Sequence, residues 1–167
     1  MGSSGAGRLP DFIIIGAQKC GTTSLHYCFG LHPQIAMAPE KELNFFYAEK
    51  NWSRGVDWYR SRFDPAAPLV GETSPNYTAN PRFASVPHMA EVLPPDTKFI
   101  YVVRDPIERI LSQYVHYYAS GLEHGSLDHA LRQGKYRDDF LQRSRYYHQL
   151  SHYTAHFPRG QIHLITH

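Results

Sequence analysis

The sequence predicts an α/β domain in three layers, a mostly parallel sheet between helices. Two apolar runs, Phe12-Ile13-Ile14-Ile15 and Phe99-Ile100-Tyr101-Val102-Val103, lack the polar alternation of a half-solvated strand, so each reads as a strand covered on both faces. Each is followed closely by a helix start, Gly21-Thr22-Thr23 after the first and Asp105-Pro106 after the second. Strand and helix patterns alternate along the rest of the chain, as β-α-β crossovers require.

The first strand, bounded by Pro10 and Gly16, turns into a helix carrying Leu25, Cys28 and Phe29, which Leu31-His32-Pro33 ends. Ile35-Ala36-Met37 is a short extended piece leading into a loop at 39–46. Trp52 to Phe63 places Val56, Tyr59 and Phe63 at helical spacing and reads as one short helix stopped by Asp64-Pro65. Leu69 to Glu72 is a short strand. Thr73 to Asn80, broken by Ser74-Pro75 and Asn80-Pro81, is expected to be a surface loop entering a helix that ends near Leu93. After the strand Lys98 to Val103 comes a helix with Asp105 as N-cap. Ile107, Ile110, Leu111, Tyr114, Val115 and Tyr118 form its apolar stripe, with Ser112 on the flank and Gly121 closing it. One long helical pattern runs from about Asp138 to Phe157 with Tyr146, Leu150, Tyr153 and Phe157 as its core stripe. Pro158-Arg159-Gly160 then turns into a last strand, Gln161 to Thr166.

The 167 residues suffice for one core, so one domain is expected over 11–167 behind a flexible segment at 1–10 with no apolar signal core. Seventeen basic against 15 acidic residues leave +2, too little to bind a polyanion by bulk charge, and no nucleic-acid partner is expected. Cys20 and Cys28, eight residues apart, suit reduced thiols and a cytoplasmic setting. No apolar run approaches the ~20 residues that span a bilayer, so no membrane span is expected in this chain. Oligomeric state is not legible.

Gly16 to Ser24 is the stretch with the sharpest chemistry. Backbone N–H groups of the turn and of the first helical turn face a bound anion, helped by the helix dipole. Gly16 and Gly21 fit the glycines of the P-loop frame G-x-x-x-x-G-K-[ST], but Thr22 stands where the lysine belongs and Lys19 lies three residues earlier. Such a P-loop-like turn grips a 5′-phosphate while its displaced lysine reaches toward a bridging oxygen. Ligands of open parallel sheets gather at the carboxyl ends of strands, where the second strand delivers the forked guanidinium of Arg104, with the Ser112 hydroxyl two helical turns on. Two separated phosphates suit this pair better than a linear triphosphate. Arg104 also stands where a magnesium-holding carboxylate would end the strand, so metal-free transfer is expected, although Asp105 follows at once.

These motifs resemble those of the sulfotransferases that use 3′-phosphoadenosine-5′-phosphosulfate (PAPS). The first turn resembles the family's 5′-phosphosulfate loop, and Val103-Arg104-Asp105-Pro106 through Ser112-Gln113-Tyr114 resembles its 3′-phosphate element. Lys41-Glu42-Leu43-Asn44-Phe45-Phe46, Gly55-Val56-Asp57-Trp58-Tyr59 and Glu72-Thr73-Ser74-Pro75-Asn76-Tyr77 resemble, in the same order, motifs of the heparan sulfate type. The resemblance implies PAPS as donor, 3′,5′-bisphosphoadenosine as product, no metal, and a small-molecule or saccharide acceptor. It implies Glu42 as catalytic base and Lys19 as donor ligand and leaving-group stabiliser. Lys19, Cys20, Gly21, Thr22, Thr23 and Ser24, with Arg104 and Ser112, would bind the donor, and Lys41 the acceptor; Tyr146 is similar to a family tyrosine near the nucleotide base. Bland uses stay open: Thr22 to Ser24 as helix caps, Arg104 paired with Asp105 or Glu108, Lys41 and Glu42 as solvated charges.

Relatives of this type continue past the last strand, so the resemblance implies a chain truncated at its C-terminus. Two alternatives stand beside it, a P-loop kinase using Mg-ATP and a non-catalytic nucleotide- or saccharide-binding fragment. His148, His152 and His156 at four-residue steps suggest a zinc pair, but without HExxH or a third ligand they read as an exposed polar face. Arg132, Lys135, Arg137, Arg143 and Arg145 form either a patch for an anionic saccharide or a solvated helix face.

Overall fold

The computed structural model describes residues 7–82 and 84–167; residues 1–6 of the N-terminal segment lie outside them. Five strands, β1 (Phe12–Gly16), β2 (Ile35–Met37), β3 (Leu69–Thr73), β4 (Lys98–Val103) and β5 (Ile162–Thr166), form one sheet in the order β2-β3-β1-β4-β5. Every pairing is parallel. The strand with the longest unbroken β-branched run takes the centre, where both faces are covered: Ile13, Ile14 and Ile15 are fully buried. Across from Phe12 lies Gly71, and a Cβ there would stand 2.3 Å from the Phe12 ring, which packs edge-on against Phe29. Helices α1 (Thr22–Gly30), α2 (Val56–Arg60), α3 (Val86–Val92), α4 (Pro106–Ala119), α5 (Leu127–Arg132), α6 (Arg137–Gln142) and α7 (Tyr146–Thr154) complete the α/β, P-loop-like fold.

Three expected segments have other boundaries or burial than the sequence suggests. The single helix over 52–63 is a 3-10 turn, Trp52–Arg54, followed by α2, because Gly55 (φ 80, ψ 160) breaks the spiral between them. Tyr59 on α2 still reaches the core, stacked on Phe45 with ring centroids 4.4 Å apart. The expected surface loop at 73–80 is mostly buried. It forms a 3-10 turn, Pro75–Thr78, whose Thr78 hydroxyl donates to Ile15 O at 3.1 Å, so this hydroxyl is satisfied inside the fold. The long helix over 138–157 is two helices. Arg109 Nη2 takes the Phe140 carbonyl and Gln149 Nε2 the Gln142 carbonyl, while Ser144 N and Arg145 N bond three residues back, to Leu141 O and Gln142 O. Its core stripe survives the break, with Tyr153 and Phe157 buried.

Only Ile110 and Tyr114 of the expected α4 stripe pack inward. Asp105 caps the helix as the sequence predicts, its Oδ1 accepting from Ile107 N and Glu108 N. Yet Ile107, Leu111, Val115 and Tyr118 are exposed, and the buried face carries Arg109, Gln113 and Tyr117. That face is held by a polar network set around a small apolar cluster of Tyr117, Ala130 and Phe140, against which Ile110 and Tyr114 pack. Arg109 donates to Gln113 Oε1 and to Phe140 O, both at 2.6 Å. Gln113 and the Tyr117 hydroxyl donate to Asp139 Oδ2, and Arg143 Nε donates to Asp139 Oδ1 at 2.9 Å. Burial is the largest single influence on the Asp139 carboxyl and raises it, but the Arg143 charge and hydrogen bond, the Tyr117 hydroxyl and the Arg82 charge together outweigh burial and hold it below the usual carboxylate range. Arg143 is therefore buried, Arg132 and Arg137 pair with Asp128 and Asp138, and the five basic residues do not make one surface patch. The short α5, with one buried residue, Ala130, was not read from the sequence; its start signal is Ser126, whose hydroxyl accepts from His129 N.

His148 and His152 pack with ring centroids 5.1 Å apart, and among the described residues no three His, Cys, Asp or Glu side chains gather to hold a metal. Because a polar network lies beneath α4, Asp139→Ala is expected to cost about 3–5 kcal/mol by stranding Arg143. Leu111→Ser on the outer face is expected to stay within about 0.5 kcal/mol. Denaturant titration of both variants checks which face is buried.

Candidate functional site

β1 ends at Gly16 and the chain turns through Lys19, which adopts a left-handed backbone (φ 68), to Gly21 (φ 83) and the start of α1. Left-handed backbone at a lysine carries a strain of about 1–3 kcal/mol that the surroundings must hold. Ala17 N donates to Val102 O at 2.7 Å, which fixes the turn against β4. No side chain caps α1, so its first N–H groups, which helix geometry leaves without an intrahelical partner, are left without a side-chain partner as well. Thr22 to Ser24 therefore do not serve as the cap.

At the carboxyl ends of β1 and β4 lies a cleft of about 410 Å³ lined by Gln18, Lys19, Gly21, Thr22, Thr23, Lys41, Glu42, Pro75, Arg104, Ser112 and His116. The turn of residues 19–23, the Lys41-Glu42 pair, Arg104 and Ser112 thus share one cavity. Arg104 Nη1 reaches Lys19 O at 3.4 Å, and its Nη2 donates to Glu108 Oε2 at 2.6 Å, so the structural ion pair and the cleft position coexist. Its Nε is buried without a partner among the described residues, as is Gln18 Oε1. Three cationic side chains, Lys19, Lys41 and Arg104, against one carboxylate, Glu42, give the lining a formal +2, which favours an anion. Lys41 Nζ donates to Glu42 Oε1 at 2.9 Å.

Two of the expected donor-binding side chains lie elsewhere. Cys20 is fully buried, its Sγ 3.7 Å from the Tyr146 hydroxyl, and Ser24 opens onto a separate groove shared with Leu25, Cys28 and Ile165. Burial pushes the Cys20 thiol up, only partly countered by Tyr146 and by the Arg109 and Arg104 charges. Tyr146 meets Tyr101 edge-on at 5.9 Å and does not line the cleft. Sequence reasoning missed Gln18, Pro75 and His116. His116 had a signal: Glu108, Ser112 and His116 recur at four-residue steps and share one face of α4. His26, buried on α1, lies 3.0 Å from Thr73 Oγ1, and burial followed by the Lys41 charge holds its pKa below the usual histidine value.

Fold and cleft define a P-loop-like α/β protein with a cationic cleft between two strand ends. The chain belongs to the sulfotransferase domain family, whose match covers residues 9–167. It is 31% identical over 167 residues to bifunctional heparan sulfate N-deacetylase/N-sulfotransferase 1 of Caenorhabditis elegans, covering 92% of this chain and 19% of that protein. It is 40% identical over 111 residues to membrane-associated sulfotransferase kil1 of Dictyostelium discoideum, covering 64% of this chain and 22% of that protein. The chain thus spans about a fifth of the length of these relatives. The crystal structure of a sulfotransferase from Alicyclobacillus acidocaldarius superposes with a TM-score of 0.80 at 29% identity, covering 95% of this chain and 73% of that one.

The placement of the two thiols yields a direct check. In the native protein an aromatic disulfide reagent is expected to modify the exposed Cys28 quickly and Cys20 only on unfolding. Fast native reaction at Cys20 would put its side chain in solvent.

Proposed function

We propose that residues 11–167 form a sulfotransferase domain that moves a sulfuryl group from PAPS to a hydroxyl or amine of a carbohydrate, with 3′,5′-bisphosphoadenosine as product. The observation that carries this reading is the meeting of Arg104 with the Lys19 turn at 3.4 Å, beside the Lys41-Glu42 pair in one cationic cleft. The Arg104 guanidinium at the cleft wall and the uncapped start of α1 are donors suited to two separated phosphates. PAPS, when bound, supplies a sulfuryl group on a phosphate leaving group.

In this reading Lys19, Gly21, Thr22 and Thr23 hold the 5′ end, Cys20 and Ser24 contribute through backbone, and Arg104 with Ser112 takes the 3′-phosphate. Glu42 accepts the acceptor's O–H or N–H proton as the new bond to sulfur forms. The Lys19 ammonium balances the charge on the departing bridging oxygen. Lys41, bonded to Glu42, keeps that carboxylate turned into the cleft and meets the acceptor. Charge balance rests on these three cations, so no metal is assigned a step. A carbohydrate acceptor is proposed on likeness to relatives whose names include heparan sulfate N-sulfotransferase. The cytoplasmic setting is proposed on the two free thiols. No described helix is long and apolar enough to cross a membrane, and one relative is membrane-associated by name.

Calorimetric titration is expected to show binding of 3′,5′-bisphosphoadenosine without magnesium and tighter than Mg-ATP; the reverse preference would favour a kinase. Arg104→Ala should weaken bisphosphoadenosine roughly tenfold or more and adenosine 5′-monophosphate much less, the difference belonging to the 3′-phosphate. Glu42→Gln should leave bisphosphoadenosine affinity intact and lower turnover of labelled PAPS by about a hundredfold or more. Binding without any transfer to a range of saccharides and amines would favour a non-catalytic module.

A further inference from the structure

Glu72, one residue before the end of β3, is fully buried and accepts three hydroxyl hydrogen bonds: Tyr59 OH and Tyr77 OH at Oε1, 2.6 and 3.1 Å away, and Ser74 Oγ at Oε2, 2.8 Å away. No cation is among these partners. A carboxyl group so placed is costly, and apolar residues of the same volume would fill the space at lower free energy. Its use is visible one bond further out. The Ser74 hydroxyl, its proton committed to Glu72, accepts from Asn44 N at 3.1 Å. Asn44 (φ 46) and Glu42 (φ 65) are left-handed, and with Lys19 they are the non-glycine residues of positive φ among those described.

We propose that Glu72 and Ser74 are positioning residues, a buried relay that holds the strained 42–44 turn so that Glu42 faces the cleft. The proposal rests on the reading of Glu42 as base. The end of β3 grips the turn from both sides: Glu42 N donates to Thr73 O at 2.8 Å, and Asn44 N to Ser74 Oγ. Asn44 Nδ2 closes the loop on Glu42 O at 2.9 Å, and Leu43 between them is buried. Two left-handed non-glycine residues store roughly 1–3 kcal/mol each, so the turn relaxes once one grip is lost. Ser74 N in turn donates to Ile14 O at 3.1 Å, tying the relay to β1, the strand that leads into the Lys19 turn. Burial pushes Glu72 up to about 7 against the pull of its three hydroxyls, and burial together with Glu72 raises Tyr59 and Tyr77 well above the usual tyrosine range, so both remain donors.

The test is a double-mutant cycle with a structural arm. Ser74→Ala leaves Glu72 two donors, and Glu72→Gln keeps its shape, so the pair probes the relay by independent changes. Each is expected to lower kcat about tenfold with Glu42 present, to change it less than twofold in the Glu42→Gln background, and to leave bisphosphoadenosine affinity within twofold. Amide hydrogen exchange at Asn44 is expected to accelerate about tenfold or more in both, whether or not transfer is being measured. Equal kcat loss in both backgrounds, unchanged kcat, or unchanged exchange at Asn44 would overturn the relay. Wild-type protein that transfers no sulfuryl group would instead defeat the functional reading, with the exchange arm still deciding whether the turn is held this way.

Discussion

The parallel pairing of β1 with β3 on one side and β4 on the other is the constraint on which the site depends. Parallel neighbours end at the same edge of a sheet, so the turn after β1, Arg104 after β4 and the residues after β3 must meet there. The apolar run of β1 is thus a positional device as much as a core. The Ala17 N to Val102 O and Ser74 N to Ile14 O bonds extend this pairing just past the sheet, where the ladder gives way to the chemistry.

The polar face beneath α4 belongs to the same geometry. Arg109, Gln113 and Tyr117 are pinned inward, and the residue before each, Glu108, Ser112 and His116, is turned by one helical step. That step brings Ser112 and His116 to the cleft and Glu108 to Arg104. A greasy interface tolerates small rotations of a helix; directional hydrogen bonds do not. The network under the helix therefore sets the angle of the residues on its flank.

The sheet and most of the cleft were legible because their signals are local. Unalternated apolar runs, Asp105-Pro106 and the Gly16 to Gly21 frame each state their conformation within a few residues. What escaped depends on partners distant in sequence. The α4 stripe was taken from periodicity alone, and nothing within the helix announces that Phe140 O and Asp139 will claim its polar residues. The 138–157 break has in part the same origin, since Arg109 from α4 takes the Phe140 carbonyl that a continuous helix would use. Residues 73–80 misled because proline punctuation marks a turn without saying how deep it lies. Cys20 and Ser24 sit in the right motif, but adjacent positions on a tight turn point different ways, and the motif does not say which reach the ligand by side chain.

The contact of Phe12 with Gly71 has an evolutionary consequence. No space remains for even a methyl group at position 71 while an aromatic ring occupies position 12. A descendant of this chain that gains a side chain at 71 must displace the ring at 12 or shrink it in step, so the two sites drift as a couple, through an intermediate that is either crowded or hollow at the middle of the sheet.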